Sequence, residues 1–276
     1  MDSLGIVAGS GTYPLLMARQ ARRQGVKTII AVAFKGETDP EIELVADKVE
    51  WLRVGEMNRL IAAFTSRGVR EVAMVGAVAL KNLFDLRPDF RTLRVLLGLK
   101  QRNAATLFGA VVGEMEKDGL KVVEATRYLE HLLPAPGLIA GPRPKTRRIE
   151  DLRWGANIAR QMAALDIGQC VVIKDRVVVA VEAVEGTDGA ITRGGTLAKE
   201  GAVVVKRCKP QQDLRFDLPA IGPRTIEVMA SVKAAVLAVE AGRTVMLDRD
   251  LLIRKAEDEG IAVVGVRDRV TESAIS

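Results

Sequence analysis

Residues 4–14 read Leu-Gly-Ile-Val-Ala-Gly-Ser-Gly-Thr-Tyr-Pro, and this stretch decides the fold of the first half of the chain. Its apolar start predicts a short strand over Leu4–Ala8, and its glycines predict a tight loop. A helical pattern then covers Leu15–Gln24, and a second apolar strand is predicted over Val26–Phe34. A strand, a glycine-rich loop, a helix and a second strand are typical of a Rossmann-like βαβ unit.

The alternation of helix and strand signals continues to residue 133. It predicts a helix over Met57–Arg67, a strand over Glu71–Gly76, a helix over Leu107–Lys117 and a strand over Lys121–Ala125. We therefore predict an α/β protein with an N-terminal Rossmann-like domain at residues 1–133, built on a parallel sheet. Residues 134–149 hold four prolines and two glycines, which predict a linker.

The remaining residues, 150–276, predict a second α/β domain, which we expect to be catalytic. It begins with a helix over Glu150–Leu165, and a long helix follows Pro223 and extends over Ile226–Ala241. The strands and the last helix are predicted over Gln169–Lys174, Arg176–Glu182, Val203–Lys206, Thr244–Leu247, Asp248–Glu259 (helix) and Ile261–Val266.

The composition limits the partners and the types of catalytic site that the chain can have. The formal net charge is +6, which favours anionic partners, and the excess is spread along the chain, so nucleic acid is not indicated. Two distant cysteines and a single histidine, His131, rule out a His/Cys zinc cluster, and also a Ser-His-Asp triad unless His131 supplies it. We expect a structural role for His131, a reducing cytoplasmic location and no membrane-spanning segment.

The first glycine-rich loop resembles a phosphate cradle, in which Gly9, Ser10 and Gly11 would contact a ligand. Pro14 stands where a dinucleotide fingerprint has its third glycine, and the second strand ends in Ala33-Phe34-Lys35, without an acidic residue there for a ribose hydroxyl pair. NAD binding and a Rossmann-type oxidoreductase are therefore poorly supported. The alternative is a tight turn that binds nothing.

Acidic and basic residues gather in two stretches of the second half, each after an apolar strand. Carboxylate oxygens suit Mg²⁺ or Mn²⁺, and neighbouring Lys and Arg suit a diphosphate. These are the parts needed for metal-assisted attack of water on phosphorus, although each stretch alone could be solvated loop charge. The candidate metal ligands are Glu182, Glu185, Asp188, Asp213 and Asp217, and the candidate phosphate-binding side chains are Lys206, Lys209 and Arg215.

Four ordered motifs resemble one family across nearly the whole chain. They are residues 4–14, Leu165-Asp-Ile-Gly-Gln169, Ala180-Val-Glu-Ala-Val-Glu-Gly-Thr-Asp188 and Lys209-Pro-Gln-Gln-Asp-Leu-Arg-Phe-Asp-Leu-Pro-Ala-Ile-Gly222. The family is that of the LpxI-type, non-calcineurin UDP-2,3-diacylglucosamine pyrophosphatases of lipid A biosynthesis. The resemblance implies hydrolysis to UMP and 2,3-diacylglucosamine 1-phosphate (lipid X) with Mg²⁺ or Mn²⁺. It also implies two domains joined by a linker, with lipid X between them, and a homodimer. A membrane-embedded substrate favours transient contact with the inner face of the inner membrane.

The resemblance also assigns residues. Asp217 matches the family's catalytic aspartate, and Asp213 and Arg215 are expected to act beside it. Gln169 and Thr187, which lie in matching motifs, are expected to bind substrate. One departure exists, because members often carry Gly-Asp-Asp where this chain has Arg102-Asn-Ala-Ala105. The alternative function is a non-catalytic, nucleotide- or lipid-binding Rossmann-like protein.

Overall fold

The structure is a computed structural model that describes residues 2–78, 88–99, 104–124, 126–210 and 212–267. Arg102 and Asn103 of the family departure lie outside the described residues, as do the side chains of Ala104 and Ala105. The chain divides into two compact units. The N-terminal unit is Met1–Leu129 with Asp213–Asp217, and the C-terminal unit is Glu130–Gln212 with Leu218–Ser276.

The N-terminal unit has a five-stranded sheet in the order β3-β2-β1-β4-β5, with every pair parallel. This is a Rossmann-like order, as the sequence predicted. Strand β3 and helix α3 were not predicted. The elements are β1 (Ser3–Ala8), α1 (Tyr13–Arg23), β2 (Thr28–Phe34), a 3-10 helix (Pro40–Leu44), β3 (Lys48–Leu52), α2 (Met57–Thr65), β4 (Glu71–Val75), α3 (Phe90–Gly98), α4 (Ala104–Lys117) and β5 (Lys121–Val123).

Aliphatic side chains from the strands fill the core of this unit. Helices α2 and α4 pack on the sheet face that carries Val7, Val32 and Val72, and α1 packs on β1 and β4. Strand β1 is buried on both faces, which explains why it reads as a continuous apolar run.

The C-terminal unit has a six-stranded mixed sheet in the order β6-β13-β11-β9-β7-β8. Strands β9, β11 and β13 are parallel, and β6, β7 and β8 pair antiparallel to their neighbours. The elements are a 3-10 helix (Glu130–Leu132), β6 (Gly137–Ala140), α5 (Thr146–Ala164), β7 (Cys170–Lys174), β8 (Val177–Val181), α6 (Gly186–Ala198), β9 (Val203–Lys206), β10 (Ala220–Ile221), α7 (Pro223–Ser231), β11 (Val236–Glu240), β12 (Val245–Met246), α8 (Arg249–Asp258) and β13 (Ala262–Val266).

Helices cover both faces of this sheet. Helix α5 packs on one face through residues such as Leu152 and Ala159. Helices α6, α7 and α8 pack on the other face, where Ile191, Ile226 and Leu252 are fully buried. The second domain is therefore a three-layer α/β sandwich, in agreement with the α/β class expected from sequence.

Two predicted segments were wrong. The long helix over Ile226–Ala241 ends at Ser231, because Lys233 adopts a left-handed backbone and the apolar run that follows pairs as β11 between β9 and β13. The range 134–149 is also more than a linker. It contains β6, an edge strand of the second sheet, and the first turn of α5.

Helix α6 was not predicted, because four of its thirteen residues are glycine. Two of these glycines allow close packing. A Cβ at Gly194 would lie 2.7 Å from Val172 Cβ, and a Cβ at Gly195 would lie 2.2 Å from a methyl of Val232. The helix therefore approaches the sheet and α7 more closely than a helix with larger side chains could.

The hairpin of β7 and β8 turns through Asp175 and Arg176, which have φ values of 54° and 62°. Asp151 of α5 is fully buried and supports this turn. Its carboxylate accepts hydrogen bonds from the Asp175 N–H at 3.2 Å and the Arg176 N–H at 2.6 Å. The Arg148 guanidinium lies 3.5 Å from the same carboxylate.

Both thiols are predicted to be inert in the folded protein. Cys170 and Cys208 are free and buried, and burial raises the pKa of each thiol to about 12. Because the thiolate is the reactive form, we expect no reaction with a thiol reagent at pH 8 and two reactive thiols after unfolding in guanidinium chloride. Rapid labelling of one thiol in the native protein would contradict this expectation.

Candidate functional site

The loop that joins β1 to α1 is tied to the end of β4. The Gly9 N–H donates to the Val75 carbonyl at 2.7 Å, and the Ser10 N–H donates to the Ala77 carbonyl at 2.7 Å. The Ser10 hydroxyl donates to the same Ala77 carbonyl at 2.9 Å. A Cβ at Gly9 would lie 2.6 Å from that carbonyl oxygen, so this position requires glycine for contact with its own chain.

This geometry leaves two amides of the predicted phosphate cradle without a free N–H group. The amides of Gly9 and Ser10 already have carbonyl acceptors, so neither is available to a ligand. Gly11 has a φ of 87° and open space around its Cα, so glycine is favoured at this position by the left-handed backbone of the turn. Of the two readings of this loop left open by the sequence, the structure favours the tight turn.

In the C-terminal unit, four predicted residues form one hydrogen-bonded cluster at the ends of β8 and β9. The Thr187 hydroxyl donates to Glu182 Oε1 at 2.9 Å, and the Gln169 N–H donates to Glu182 Oε2 at 3.1 Å. Lys206 Nζ donates to Thr187 Oγ1 at 3.2 Å and to the Ala220 carbonyl at 2.9 Å. We call Gln169, Glu182, Thr187 and Lys206 the lysine cluster.

The lysine cluster suits an anionic ligand. An ammonium group has three N–H donors, and the two bonds of Lys206 leave one donor within the described part of the chain. Thr187 lies in the first turn of α6, whose N-terminal amides add partial positive charge. The buried Gln169 Oε1 has no hydrogen-bond partner among the described residues. A phosphate oxygen would complete the donor set of Lys206.

Three other predicted residues of this unit have different partners. Glu185 pairs with Arg193, and this hydrogen bond lowers the pKa of the Glu185 carboxyl. Asp188 pairs with Arg224 at 2.8 Å. Lys209 pairs with Asp166. The structure therefore does not join these three side chains to the lysine cluster.

The segment Asp213–Asp217 belongs to the N-terminal unit, which corrects its assignment to the C-terminal catalytic domain. Its Phe216 packs against the core of that unit, with its ring centroid 5.9 Å from that of Phe108 on α4. We call residues 213–217 the inserted segment, because the chain on both sides of it belongs to the C-terminal unit.

Arg215 joins two carboxylates in the N-terminal unit. Its Nε lies 2.9 Å from Asp213 Oδ1, its Nη2 lies 2.7 Å from Asp213 Oδ2, and its Nη1 lies 2.8 Å from Glu116 Oε1. The hydrogen bonds from Arg215 lower the pKa of the Asp213 carboxyl. Because the pKa of Asp213 is lower in the folded protein than in the unfolded chain, the pair stabilises the unit at neutral pH. This stabilisation begins to fall below about pH 4, the ordinary pKa of an aspartate, and is lost as the pH passes below the pKa of the folded state.

Asp217 differs from the other predicted carboxylates. Its main-chain N–H donates to the Asp213 carbonyl at 2.9 Å, which fixes its place on the segment. Its side chain is partly buried, and within the described residues its carboxylate makes no ion pair and no hydrogen bond. Asp217 is therefore held in place by its backbone, while its carboxylate has no partner in the part of the chain that the structure describes.

The five predicted metal ligands do not form one group. Among the residues that the structure describes, no three His, Cys, Asp or Glu side chains lie close enough to hold a metal ion. Glu182, Glu185, Asp188 and Asp213 are each occupied by protein donors, as described above. Asp217 is the one of the five whose carboxylate has no partner among the described residues.

Comparison with known families matches both parts of the chain. Residues 3–132 match the LpxI N-terminal domain, and residues 135–264 match the LpxI C-terminal domain. The chain is 30% identical, over 96% of its length and 98% of the relative's, to the UDP-2,3-diacylglucosamine pyrophosphatase LpxI of Caulobacter vibrioides.

Similar solved structures are distant. A biotin carboxylase from Campylobacter jejuni in complex with a nucleotide shares 13% identity with a TM-score of 0.29, and 71% of this chain covers 42% of it. The N5-carboxyaminoimidazole ribonucleotide synthetase of Thermotoga maritima shares 14% identity with a TM-score of 0.24, and 67% of this chain again covers 42%. Scores this low support no argument about fold or function. Among the described residues, no helix is long and apolar enough to cross a membrane.

Proposed function

The chain belongs to the LpxI family, and we propose that it hydrolyses the diphosphate of UDP-2,3-diacylglucosamine. The products are UMP and 2,3-diacylglucosamine 1-phosphate, so the enzyme acts as a diphosphatase in lipid A biosynthesis. With a single histidine, the chain lacks the residues for a histidine-rich dinuclear site, in keeping with the non-calcineurin type.

The available carboxylate of Asp217 is the observation that carries this proposal. In the family motif Lys209–Gly222, it is the one carboxylate that no protein donor occupies in the described chain. A carboxylate in this state can accept a proton from the attacking water or hold it in line with phosphorus. Arg215 cannot serve both Asp213 and a phosphate with the same N–H groups, so we assign Arg215 and Asp213 to holding the segment.

Metal dependence remains part of the proposal. A bound Mg²⁺ or Mn²⁺ would withdraw charge from the diphosphate oxygens. Mg²⁺ commonly uses one or two protein carboxylates together with substrate phosphates and water. Of the five candidate ligands, Asp217 is the one whose carboxylate has no partner in the described chain and so fits such a role. Glu182, Glu185, Asp188 and Asp213 do not fit it with their present partners.

The lysine cluster supports the binding of a phosphate-containing substrate. Lys206 supplies charge and one remaining N–H donor, and Thr187 and Glu182 fix the position of its ammonium group. We assign these residues to holding the substrate, and we assign no bond cleavage to them.

Replacing Lys206 by Met is expected to raise KM for the substrate by about 10- to 100-fold, because a charge-assisted hydrogen bond to phosphate is lost. The change in kcat should be much smaller. Initial rates over a range of substrate concentrations measure both. The matched control is Lys255→Met, which removes a surface pair with Glu227 in the same unit. An unchanged KM in a folded Lys206→Met protein would contradict this assignment.

Two partner proposals accompany the function. A homodimer can form through β8, an edge strand with exposed Val177 and Val178, and light scattering of the purified protein tests this.

Contact with an anionic membrane surface can involve exposed Leu165, Ile167 and Val184, which lie on two touching loops. Flotation with vesicles that contain anionic lipid tests the second proposal.

The reaction itself is tested by UMP release from UDP-2,3-diacylglucosamine with Mg²⁺, with Mn²⁺ and with a chelator. Metal-dependent release supports the proposal. Tight binding of the intact substrate without release would instead favour the non-catalytic binding protein.

A further inference from the structure

Helix α4 presents two side chains to the inserted segment. The rings of Phe108 and Phe216 pack in a tilted arrangement, with centroids 5.9 Å apart and an angle of 37° between them, and Glu116 accepts the hydrogen bond from Arg215 at 2.8 Å. Phe108, Val112 and Glu116 are spaced four residues apart, so they lie along one face of the helix. The buried Val112 between them belongs to the core of the unit.

The two contacts differ in chemistry and act on neighbouring residues. The aromatic contact packs the partly buried Phe216 against the core, and the ion pair fixes the direction of the Arg215 side chain. Arg215 in turn binds Asp213 through two of its nitrogens. The backbone carbonyl of Asp213 accepts the N–H groups of Phe216 and Asp217. A continuous series of contacts therefore leads from α4 to the residue that carries the available carboxylate.

We propose that Glu116 and Phe108 are positioning residues, which hold the inserted segment so that Asp217 is placed for the reaction. This inference rests on the proposed function. Neither residue touches substrate in this scheme, and both act through Arg215 and Phe216. A displacement of the segment by about an ångström is enough to lower kcat strongly, because the reacting groups lose alignment.

The test uses the full-length protein and the neutral variant Glu116→Gln. We expect kcat for UMP release to fall about threefold to tenfold, with KM changed less than about twofold. We also expect faster hydrogen–deuterium exchange at the amides of residues 213–217, measured without substrate. The conservative variant Phe108→Leu keeps an apolar contact and should give a smaller fall in kcat, while Phe108→Ala should give a larger one.

Glu114 provides the matched control. It lies two residues away on the same helix but pairs with Arg91 and Lys117, so it does not contact the segment. Glu114→Gln is expected to lower the melting temperature while kcat and exchange at residues 213–217 stay as in the wild type. An equal fall in kcat in this control would overturn the proposal, because general loss of stability would then explain the effect.

A double-mutant cycle with Arg215→Met tests whether Glu116 acts through Arg215. The proposal expects Glu116→Gln to have little further effect on kcat in the Arg215→Met background. Equal effects in both backgrounds would overturn it. A wild-type kcat in an Asp217→Asn variant would reject the proposed role of Asp217. If hydrogen–deuterium exchange at residues 213–217 were still faster in Glu116→Gln, the anchoring of the segment by Glu116 would nevertheless be supported. The two failures are therefore distinguishable.

Discussion

Replacing Asp217 by Asn is expected to lower kcat for UMP release by about 10²- to 10⁴-fold, with the fold intact. The substitution keeps the shape of the side chain and removes the charge that would accept a proton or bind a metal ion. No protein partner is lost, because the Asp217 carboxylate has none within the described chain. The backbone N–H that fixes residue 217 to Asp213 is retained. The melting temperature should therefore change little.

The control for this prediction is Asp118→Asn in the same unit. Asp118 loses a surface pair with Arg91, so kcat should change less than about threefold. Product release is measured by separation of UMP from the nucleotide sugar, at saturating substrate. An Asp217→Asn protein with a wild-type rate would contradict the assignment. If Glu182→Gln were inactive instead, the chemistry would belong to the lysine cluster.

The second large effect is expected on stability. Replacing Asp151 by Ala should lower the free energy of unfolding of the C-terminal unit by about 2–4 kcal/mol. The buried carboxylate accepts two N–H groups of the hairpin turn and faces Arg148. Alanine would leave the guanidinium without its carboxylate and the turn without its acceptor. Asp175 and Arg176 both have positive φ, a conformation that residues other than glycine seldom adopt, so the turn depends on contacts from outside it.

A loss of that size corresponds to a fall in melting temperature of roughly 5–15 °C. Thermal unfolding followed by circular dichroism measures it, and hydrogen exchange of residues 170–181 locates it. Asp151→Asn keeps one acceptor oxygen and should lose less. The control Glu150→Ala changes an exposed neighbour on the same helix and should stay within about 0.5 kcal/mol. An unchanged melting temperature in Asp151→Ala would show that water replaces the carboxylate at the turn.

Much of the fold follows from residues whose pattern allows one interpretation. Strand β1, its loop and α1 were predicted from residues 4–24, because a short apolar run, a loop with two glycines and a helical pattern succeed each other. The run Val236–Glu240 allowed two interpretations, because unbroken apolar residues fit a buried helix or a buried strand equally well. Pairing with β9 and β13 decides the matter, and that pairing is not visible locally.

The candidate site was predicted only in part, because local sequence patterns do not show contacts between distant residues. Glu182 follows β8 and Lys206 ends β9, the two strands on either side of β7, and the sequence pattern already placed charged residues after each of these apolar strands. The glycine at position 9 is explained by its contact with Ala77, so the glycine pattern of residues 9–11 does not by itself identify a ligand-binding loop. The placement of Arg215 depends on Glu116, which is 99 positions away, and no local pattern encodes such a contact.

The inserted segment has a consequence for how such a protein can be recombined. The chain leaves the C-terminal unit after Gln212 and re-enters it at Leu218. A chimera of two relatives joined near residue 130 would therefore pair one parent's α4 with the other parent's residues 213–217. Phe108 and Glu116 of one parent would then face residues 215 and 216 of the other parent, although neither contact includes a residue at the crossover. Inheritance of a complete N-terminal unit requires two separate stretches of the gene to come from the same parent.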